Sequence, residues 1–595
     1  MTRHAPGRPV LRHAALVRAE PRLLAGAAAG LLAGALIGAL RAAQPDPAPG
    51  IVELSSHGTG LLVWLVIGPA LGIVLALFTS RGMGSGPAVA ASGVLLGLVL
   101  WVIWSLSLLP LLVGDEPRWS AQLAAQAYGE LVAATMLGGL SGVTLIALGA
   151  LVPAPVARPT EAQPERTRIV ILGGGFAGVS AARRLESLAP RSRRWDVTLV
   201  SRSNYLLFTP MLAEVASGAI EAQHIAAPVR AACPQTRFLR GEALDVDLAR
   251  RCVRVDVGRR EVEVPYDHLV LAAGAEPTYR DLPGFAEHGL TLKSLTDASA
   301  VRNHVIARLE AAEGEEDAAE RRRLLTFVVV GGGFAGTELL AELRDLVARV
   351  ARFFPDVRGE AMRYLLVHSR ERILPEVSPS LAAFALRQLR ERGIEFRLGV
   401  RVAGLTERAL LLEGGERIDA GTVVWTAGNQ ASPVVQALPF EKGPAGAVKV
   451  DATLRVPGAE TVWAIGDCAA IPAEGDSLHP PTAQHALREG TSVAEGIATM
   501  LRGGRPHPFR FKSIGTLVAL GHRTAVAELR GARFTGFLAW LMWRAVYLGK
   551  LPGLEKKVRV LSDWVVDLVF PRDIVLTETP KRPERKAEVP VETAP

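Results

Sequence analysis

Four long apolar stretches occupy the first quarter of the chain: Leu23 to Leu40, Leu61 to Thr79, Val89 to Val113 with Pro110 near its end, and Leu131 to Val152. Each approaches the roughly 20 residues that carry a helix across a bilayer. The pattern predicts a four-span transmembrane region over residues 1–153. Arg3, Arg8, Arg12, Arg18 and Arg22 precede the first span, and Arg158, Arg166 and Arg168 follow the last, whereas the connections 41–60 and 114–130 contain few Lys or Arg. The positive-inside rule then puts both ends, and everything after residue 153, on the cytoplasmic side of the inner membrane. A cleaved signal peptide is disfavoured, because the first apolar segment is long and more follow. Gly26, Gly30, Gly34 and Gly38 recur every fourth residue, a seam that lets another helix approach closely. His57 stands alone in a loop and the spans read as free of ionisable side chains, so the region reads as an anchor and docking platform, with neither a haem site nor an ion path.

Past a proline-rich linker, residues 154–166, the periodicity changes. Short apolar runs alternate with helix-period stretches, which predicts parallel sheets covered by helices on both faces. Glu310 to Arg323 reads as an exposed charged helix, and 577–595 as a disordered polar tail. At 595 residues several folding units are required. The mean hydropathy of +0.24 agrees with a membrane protein that has a large soluble part. A net charge of +8 suits anionic lipid or an anionic cofactor. No basic run interleaved with aromatics and no zinc-finger spacing occurs, which argues against nucleic acid. Cys233, Cys252 and Cys468 form no C-x-x-C, which excludes a disulfide framework and a thiolate metal cage; no metal centre is expected.

The most specific signal is a repeated glycine fingerprint. Arg168 to Gly178 and Thr326 to Gly336 each run from an apolar strand into Gly-Gly-Gly-Phe-Ala-Gly and a helix. In each copy the first glycine permits a tight turn, the second lets backbone approach a pyrophosphate, and the third packs helix on strand. The candidate residues are Gly173, Gly175, Phe176, Ala177 and Gly178 in the first copy, and Gly331, Gly333, Phe334, Ala335 and Gly336 in the second. After the first copy, Trp195 to Val200 is the second strand, where an acid usually holds a ribose; here Ser201 and Arg202 follow. Downstream, Thr461 to Asp467 is an apolar run ending in Gly466-Asp467.

These motifs together resemble the two-dinucleotide flavoprotein reductases. The resemblance implies that Asp467, with Gly466, holds the ribityl chain of FAD. It also implies that the strands ending Ala273-Gly274 and Ala427-Gly428 close the FAD and nicotinamide units. The FAD domain would then be split, 167–295 and 451–505, around a nicotinamide domain at 296–450. More closely, residues 167–575 resemble type II (alternative) NADH:quinone oxidoreductases, through Ser201 to Leu212, Gly331 to Glu338, Val424 to Gly428 and Pro480 to Gln484. That family implies Glu338 as an acid beside flavin and nicotinamide, and Ala483 and Gln484 at flavin and quinone. Glu338 is equally explained as a carboxylate favoured in a helix's first turn.

Two departures stand out. The acid that grips the NADH ribose is replaced by His368, with Ser369 and Arg370 beside it; a missing carboxylate and a nearby guanidinium favour a 2′-phosphate. In the quinone motif Arg488 replaces the family's second glutamine, free to reach a quinone carbonyl or to answer Glu489. Residues 506–576 read as a membrane-associating region. Gly536 to Lys550 and Val558 to Phe570 lie in the headgroup plane, with Lys556, Lys557 and Arg559 for anionic lipid, or else pack on the protein or on a homodimer partner. The combined expectation is a membrane-bound, FAD-dependent NAD(P)H:quinone oxidoreductase without proton pumping. Two alternatives remain. A sulfide:quinone-type reductase needs redox cysteines near the flavin, and an anchored FAD/NAD(P)H-binding sensor or scaffold would turn over little.

Overall fold

Two parallel sheets carry most of the chain in the computed structural model, which describes residues 24–37, 39, 59–79, 86–108, 128–151, 166–189, 195–279, 282–475 and 477–576. In the six-stranded sheet Thr167–Leu172 is central, flanked by Trp195–Ser201 and Arg237–Arg240 on one side and His268–Leu271 and Ala459–Ala464 on the other. All five run parallel, and Arg455–Val456 closes the edge as an antiparallel strand. The five-stranded sheet is wholly parallel, in the order Leu290–Thr291, Thr422–Trp425, Thr326–Val330, Arg363–His368, Ile394–Leu398. In the chain, its strands fall between His268–Leu271 and Ala459–Ala464, which are neighbours in the first sheet. The central strands are buried on both faces, all of Thr326–Val330 and the last four residues of Thr167–Leu172, so their sequences run apolar without alternation. Each central strand leads through its glycine turn into a helix, Phe176–Leu188 or Phe334–Val350.

The segment read as one charged helix is two. Leu295–Glu313 starts at a capping box of Ser294 and Asp297, and Ala318–Leu324 starts at an Asp317 cap. Beyond the sheets, the strands Gly515–Ala519, Ala525–Leu529 and Ala532–Thr535 form an antiparallel sheet, followed by the helices Gly536–Lys550 and Leu554–Val569. Ala539, Trp543, Val560 and Trp564 join the core cluster of the Phe334–Val350 helix. Phe537, Leu538, Leu541, Leu561, Val565 and Val569 stay exposed on the opposite sides. One face of these helices thus packs on the protein, and the other is apolar and exposed. Lys556 donates to Gln223 O and Lys557 to Gly549 O.

These helices are clamped by buried charge. Arg572 bonds Glu342 at 3.1 Å and Asp567 at 3.0 Å, and Arg349 also reaches Asp567, while Arg392, paired with Asp345, holds the Leu520 carbonyl at the end of the antiparallel sheet. Arg544 lies between the rings of Trp540 and Trp564, 3.5 Å from Glu214. Burial drives the Glu214 carboxyl up to about 8, against the pull of Arg544.

The chain divides into two units, residues 1–162 with 553–555, and 163–552 with 556–595. In the first, helices Val89–Ser107 and Tyr128–Leu148 are long and apolar enough to cross a membrane. The other two expected spans appear as shorter apolar helices, Leu24–Ile37 and Leu65–Ala76, the latter within the helix Thr59–Thr79. The described residues therefore give two full-length spans where four were expected. The glycine seam does bring a helix close. Gly26 and Gly30 face Gly72 and Gly68 so tightly that a Cβ on any of them would overlap the opposing backbone, and Gly93 and Gly97 meet Gly138 and Ala134 in the same way. One reading is corrected: the fourth helix begins at Tyr128, three residues before the apolar run, and so includes Glu130. That carboxylate is buried in the first turn, where the helix dipole favours it. The basic N-terminus, His57, Pro110, the linker over 154–165 and the tail 577–595 lie outside the described residues.

Candidate active site

At the first fingerprint, Gly173 adopts φ +118° and a Cβ there would overlap Ala272 O, so only glycine fits. A Cβ on Gly178 would overlap Gly173 O, which is the close helix-on-strand packing that the motif requires. Gly175 caps the helix without any side-chain bond, and a Cβ there would meet nothing within 4 Å. The first N–H groups of the helix therefore have no side-chain cap, which suits a pyrophosphate. Phe176 and Ala177 open that helix, Phe176 edge-on to Phe208 at 5.9 Å. Ser201 stands beside Gly174, its Oγ 2.8 Å from where a Cβ would be. Arg202, a candidate for the cofactor, is engaged with Glu276 at 2.9 Å and Glu242 at 3.7 Å. Gly274 (φ +69°), next to Ala273, also borders open space. Gly466 (φ +71°) ends its strand, and its N–H donates to Glu489 Oε2 at 2.7 Å. Burial lifts the Asp467 carboxyl, and Lys293, 3.9 Å away, opposes the shift. These features fit FAD, a dinucleotide with a ribityl chain.

The second fingerprint repeats the geometry. Gly331 has φ +118°, a Cβ on Gly336 would overlap Gly331 O, and Gly333 caps its helix without a side-chain bond. Phe334 and Ala335 open the helix. Thr426 Oγ1 donates to Val330 O at 2.9 Å and braces the turn, just before Ala427 and Gly428. The Glu376 carboxylate lies 3.5 Å from a Cβ placed on Gly333. His368 ends its strand and receives the Gly332 N–H on Nδ1 at 3.1 Å, while Nε2 is buried without a partner. Arg370 is exposed.

Glu338 lies in the second turn of that helix, which corrects the first-turn reading, and it accepts the Ala519 N–H at 3.0 Å, joining the C-terminal sheet to the nucleotide turn. Protein packs closely around the carboxyl, although its surface is not fully closed to solvent, and desolvation pushes it up to about 8. The Trp543 indole beside it opposes the shift weakly, without meeting hydrogen-bond geometry, and the carboxylates of Glu214 and Glu342 add to it. Tyr547 is half-buried within reach of the Glu338 charge, edge-on to Trp543 at 4.7 Å and to Phe208 at 6.1 Å.

Ala483 opens the helix Ala483–Met500, and Gln484 Nε2 donates to Gly515 O at 2.9 Å. Arg488 donates to Gln484 O at 2.9 Å and stacks 4.1 Å above the Phe511 ring. It does not answer Glu489, which turns inward to Gly466; that expectation is corrected. Sequence reading missed Phe511, Tyr547, Lys293 and Thr426, and the bond of Glu489 to Gly466. Only Glu489 carried any signal, as an acid beside the quinone motif.

The cysteines do not make a redox pair. All three are buried and free, and burial pushes the Cys468 thiol up to about 11 and Cys233 up to about 12, away from the reactive thiolate.

Comparison with known proteins agrees with this layout. The family described as pyridine nucleotide-disulphide oxidoreductase matches residues 167–490, and the NDH2 C-terminal domain matches residues 514–573. The type II NADH:quinone oxidoreductase of Mycobacterium tuberculosis is 32% identical over 440 residues, covering 71% of this chain and 93% of its own length. An internal alternative NAD(P)H-ubiquinone oxidoreductase A1 of Arabidopsis thaliana mitochondria is 30% identical, covering 70% of this chain and 86% of its own. The structure of NDH2 from Plasmodium falciparum in complex with NADH superposes with a TM-score of 0.63 at 20% identity, over 69% of this chain and 100% of that one, a likeness of fold. Both family matches begin after residue 166 and leave the apolar N-terminal region outside. With two nucleotide turns, a half-buried acid joining the second of them to the C-terminal sheet, and these matches along the catalytic part of the chain, the chain belongs to the type II NADH:quinone oxidoreductase family.

Proposed function

We infer that the protein is a membrane-bound, FAD-dependent oxidoreductase that passes two electrons from NAD(P)H to a quinone without pumping protons. The observation that carries this reading is Glu338. It lies in the helix of the nicotinamide turn, yet it accepts from Ala519 at one end of the C-terminal strand Gly515–Ala519, whose other end receives Gln484, so one strand links the donor and acceptor sides.

FAD, when bound, accepts hydride from the nicotinamide and yields two electrons to the acceptor. The chain supplies the rest. The uncapped helix ends at Gly175 and Gly333 bind the two pyrophosphates, while Asp467, Gly466 and Glu489 hold the first nucleotide in place. Glu338, its carboxyl raised to about 8, holds a proton near neutrality, where quinone reduction consumes protons. Gln484 and the Phe511-braced Arg488 orient the quinone carbonyl and favour charge developing on its oxygen.

In this reading Val89–Ser107 and Tyr128–Leu148 cross the inner membrane. The shorter helix pair crosses beside them to complete four spans, with the catalytic unit on the cytoplasmic side. The uncovered apolar faces of the two C-terminal helices rest in the bilayer surface, with a second copy of the chain as the competing occupant. The glycine seam is filled from within the chain, which fits an anchor better than a docking face for another protein. Steady quinone-dependent oxidation of NADH by purified protein in lipid tests the function. Bound flavin that is reduced once and then stalls would favour the sensor or scaffold reading instead.

A further inference from the structure

We propose that the nicotinamide site reads the adenosine ribose by donating hydrogen bonds, and that it takes the 2′-phosphorylated dinucleotide NADPH at least as well as NADH. The inference rests on the proposed function and concerns one end of that same site. In a dinucleotide unit the residue that ends the second strand faces the ribose 2′ oxygen, and an acid there discriminates by accepting from the hydroxyl. That residue is His368, at the end of Arg363–His368, beside the central strand.

Its chemistry is set by a single bond. The Gly332 backbone N–H can only donate, and it points at Nδ1 from 3.1 Å, so Nδ1 keeps its lone pair and the ring hydrogen sits on Nε2. Burial and the neighbouring Arg370 both disfavour the charged ring, so a second hydrogen on Nδ1 is not an easy escape. Nε2 is a buried donor with no partner, a costly state that a ligand oxygen would relieve. A ribose hydroxyl can accept from it, but an anionic phosphate oxygen accepts more strongly. The first site differs: Ser201 stands at the matching place beside Gly174, and a hydroxyl both donates and accepts.

The surrounding charge agrees. Arg370 is exposed two residues beyond His368 and available to a 2′-phosphate, whereas Arg372 is half-buried and engaged with Pro375 O at 3.1 Å. Of the acids in this loop, Glu376 sits against Gly333 at the pyrophosphate end of the helix. Both nucleotides carry a pyrophosphate, so Glu376 burdens them alike and does not select between them. Glu371 lies beside Gly399, at the end of the next strand.

The test uses full-length holoenzyme in lipid, mixed anaerobically with NADH or NADPH while flavin bleaching is followed, together with equilibrium binding of adenosine 2′,5′-bisphosphate and adenosine 5′-diphosphate. The proposal expects kcat/KM for NADPH equal to or above that for NADH, and the 2′,5′-bisphosphate bound about tenfold more tightly than the 5′-diphosphate. Arg370→Ala should remove about that tenfold and leave 5′-diphosphate binding unchanged. His368→Glu should shift the preference toward NADH. A preference for NADH of a hundredfold or more in the unaltered protein, or no gain in binding from the 2′-phosphate, overturns the proposal. Bleaching by neither nucleotide would sink the functional reading instead, and the binding arm would still decide this one without any variant.

Discussion

Replacing Arg572 by Met keeps the length of the side chain and removes its charge. In the folded protein Arg572 is buried and bonds the Glu342 carboxylate at 3.1 Å, Asp567 at 3.0 Å and the carbonyls of Ser217 and Glu342. Without it, two buried carboxylates lose their shared cation. Breaking a buried pair in this way costs about 3–5 kcal/mol. The lower end applies here, because Glu342 retains the Ser217 hydroxyl at 2.9 Å and Asp567 retains Arg349. About 3 kcal/mol corresponds to roughly a hundredfold shift in the opening equilibrium of the C-terminal helices. The loss should be local, since Arg572 ties those helices to Phe334–Val350 and does not touch the first sheet. Native-state hydrogen exchange is the assay: amides of Leu554–Val569 should exchange about a hundredfold faster, with Thr167–Leu172 unchanged. Unaltered protection in the helix, or an equal loss in both places, would refute the clamp.

Glu338→Gln keeps the shape and the Ala519 bond but removes the proton, so flavin reduction by NADH should change little while reoxidation by quinone slows at least tenfold; stopped-flow of the two half-reactions separates them. Phe511→Leu takes away the surface on which Arg488 rests, and a cation–π contact of about 0.5–2 kcal/mol predicts a several-fold rise in quinone KM at constant nicotinamide KM. Burial raises the folded carboxyl of Glu214 from 4.5 to about 8, so its stabilising share is full below pH 4.5 and is lost as pH rises through about 8. Denaturant release of the C-terminal segment, followed by tryptophan fluorescence, should therefore become easier over that window, and Glu214→Gln should flatten the dependence.

The nucleotide turns were legible because glycine has few substitutes there: a positive φ at Gly173 and Gly331, and backbone contact at Gly178 and Gly336, leave no room for a side chain. Gly466 and Asp467 were legible for a related reason, as a strand end returning to the first sheet. Arg488 and Glu489 were not. Neighbours on a helix point about 100° apart, so the two cannot share a face, and Glu489 turns to Gly466 while Arg488 turns to Phe511. The role of His368 needed Gly332, 36 residues earlier in the chain, to fix its tautomer. For Glu338 the deciding partner, Ala519, lies 181 residues away, beyond any local pattern. Among the C-terminal charges only Lys556, Lys557 and Arg559 drew a reading, for lipid; the interior places of Arg544 and Arg572 were not legible, because the aromatic rings and carboxylates that close over them come from distant segments. In the first unit the apolar run ended where Glu130 begins, and the helix extended past it.

The central claim is that electrons travel from the site at Gly331, through FAD at Gly173, to a quinone beside Glu338 and Gln484. Its most direct test is a single anaerobic double-mixing experiment on the holoenzyme in lipid, with NADH first and a short-chain quinone second. The account predicts rapid bleaching of the flavin followed by full reoxidation in step with hydroquinone formation. Bleaching that the quinone does not reverse would contradict it.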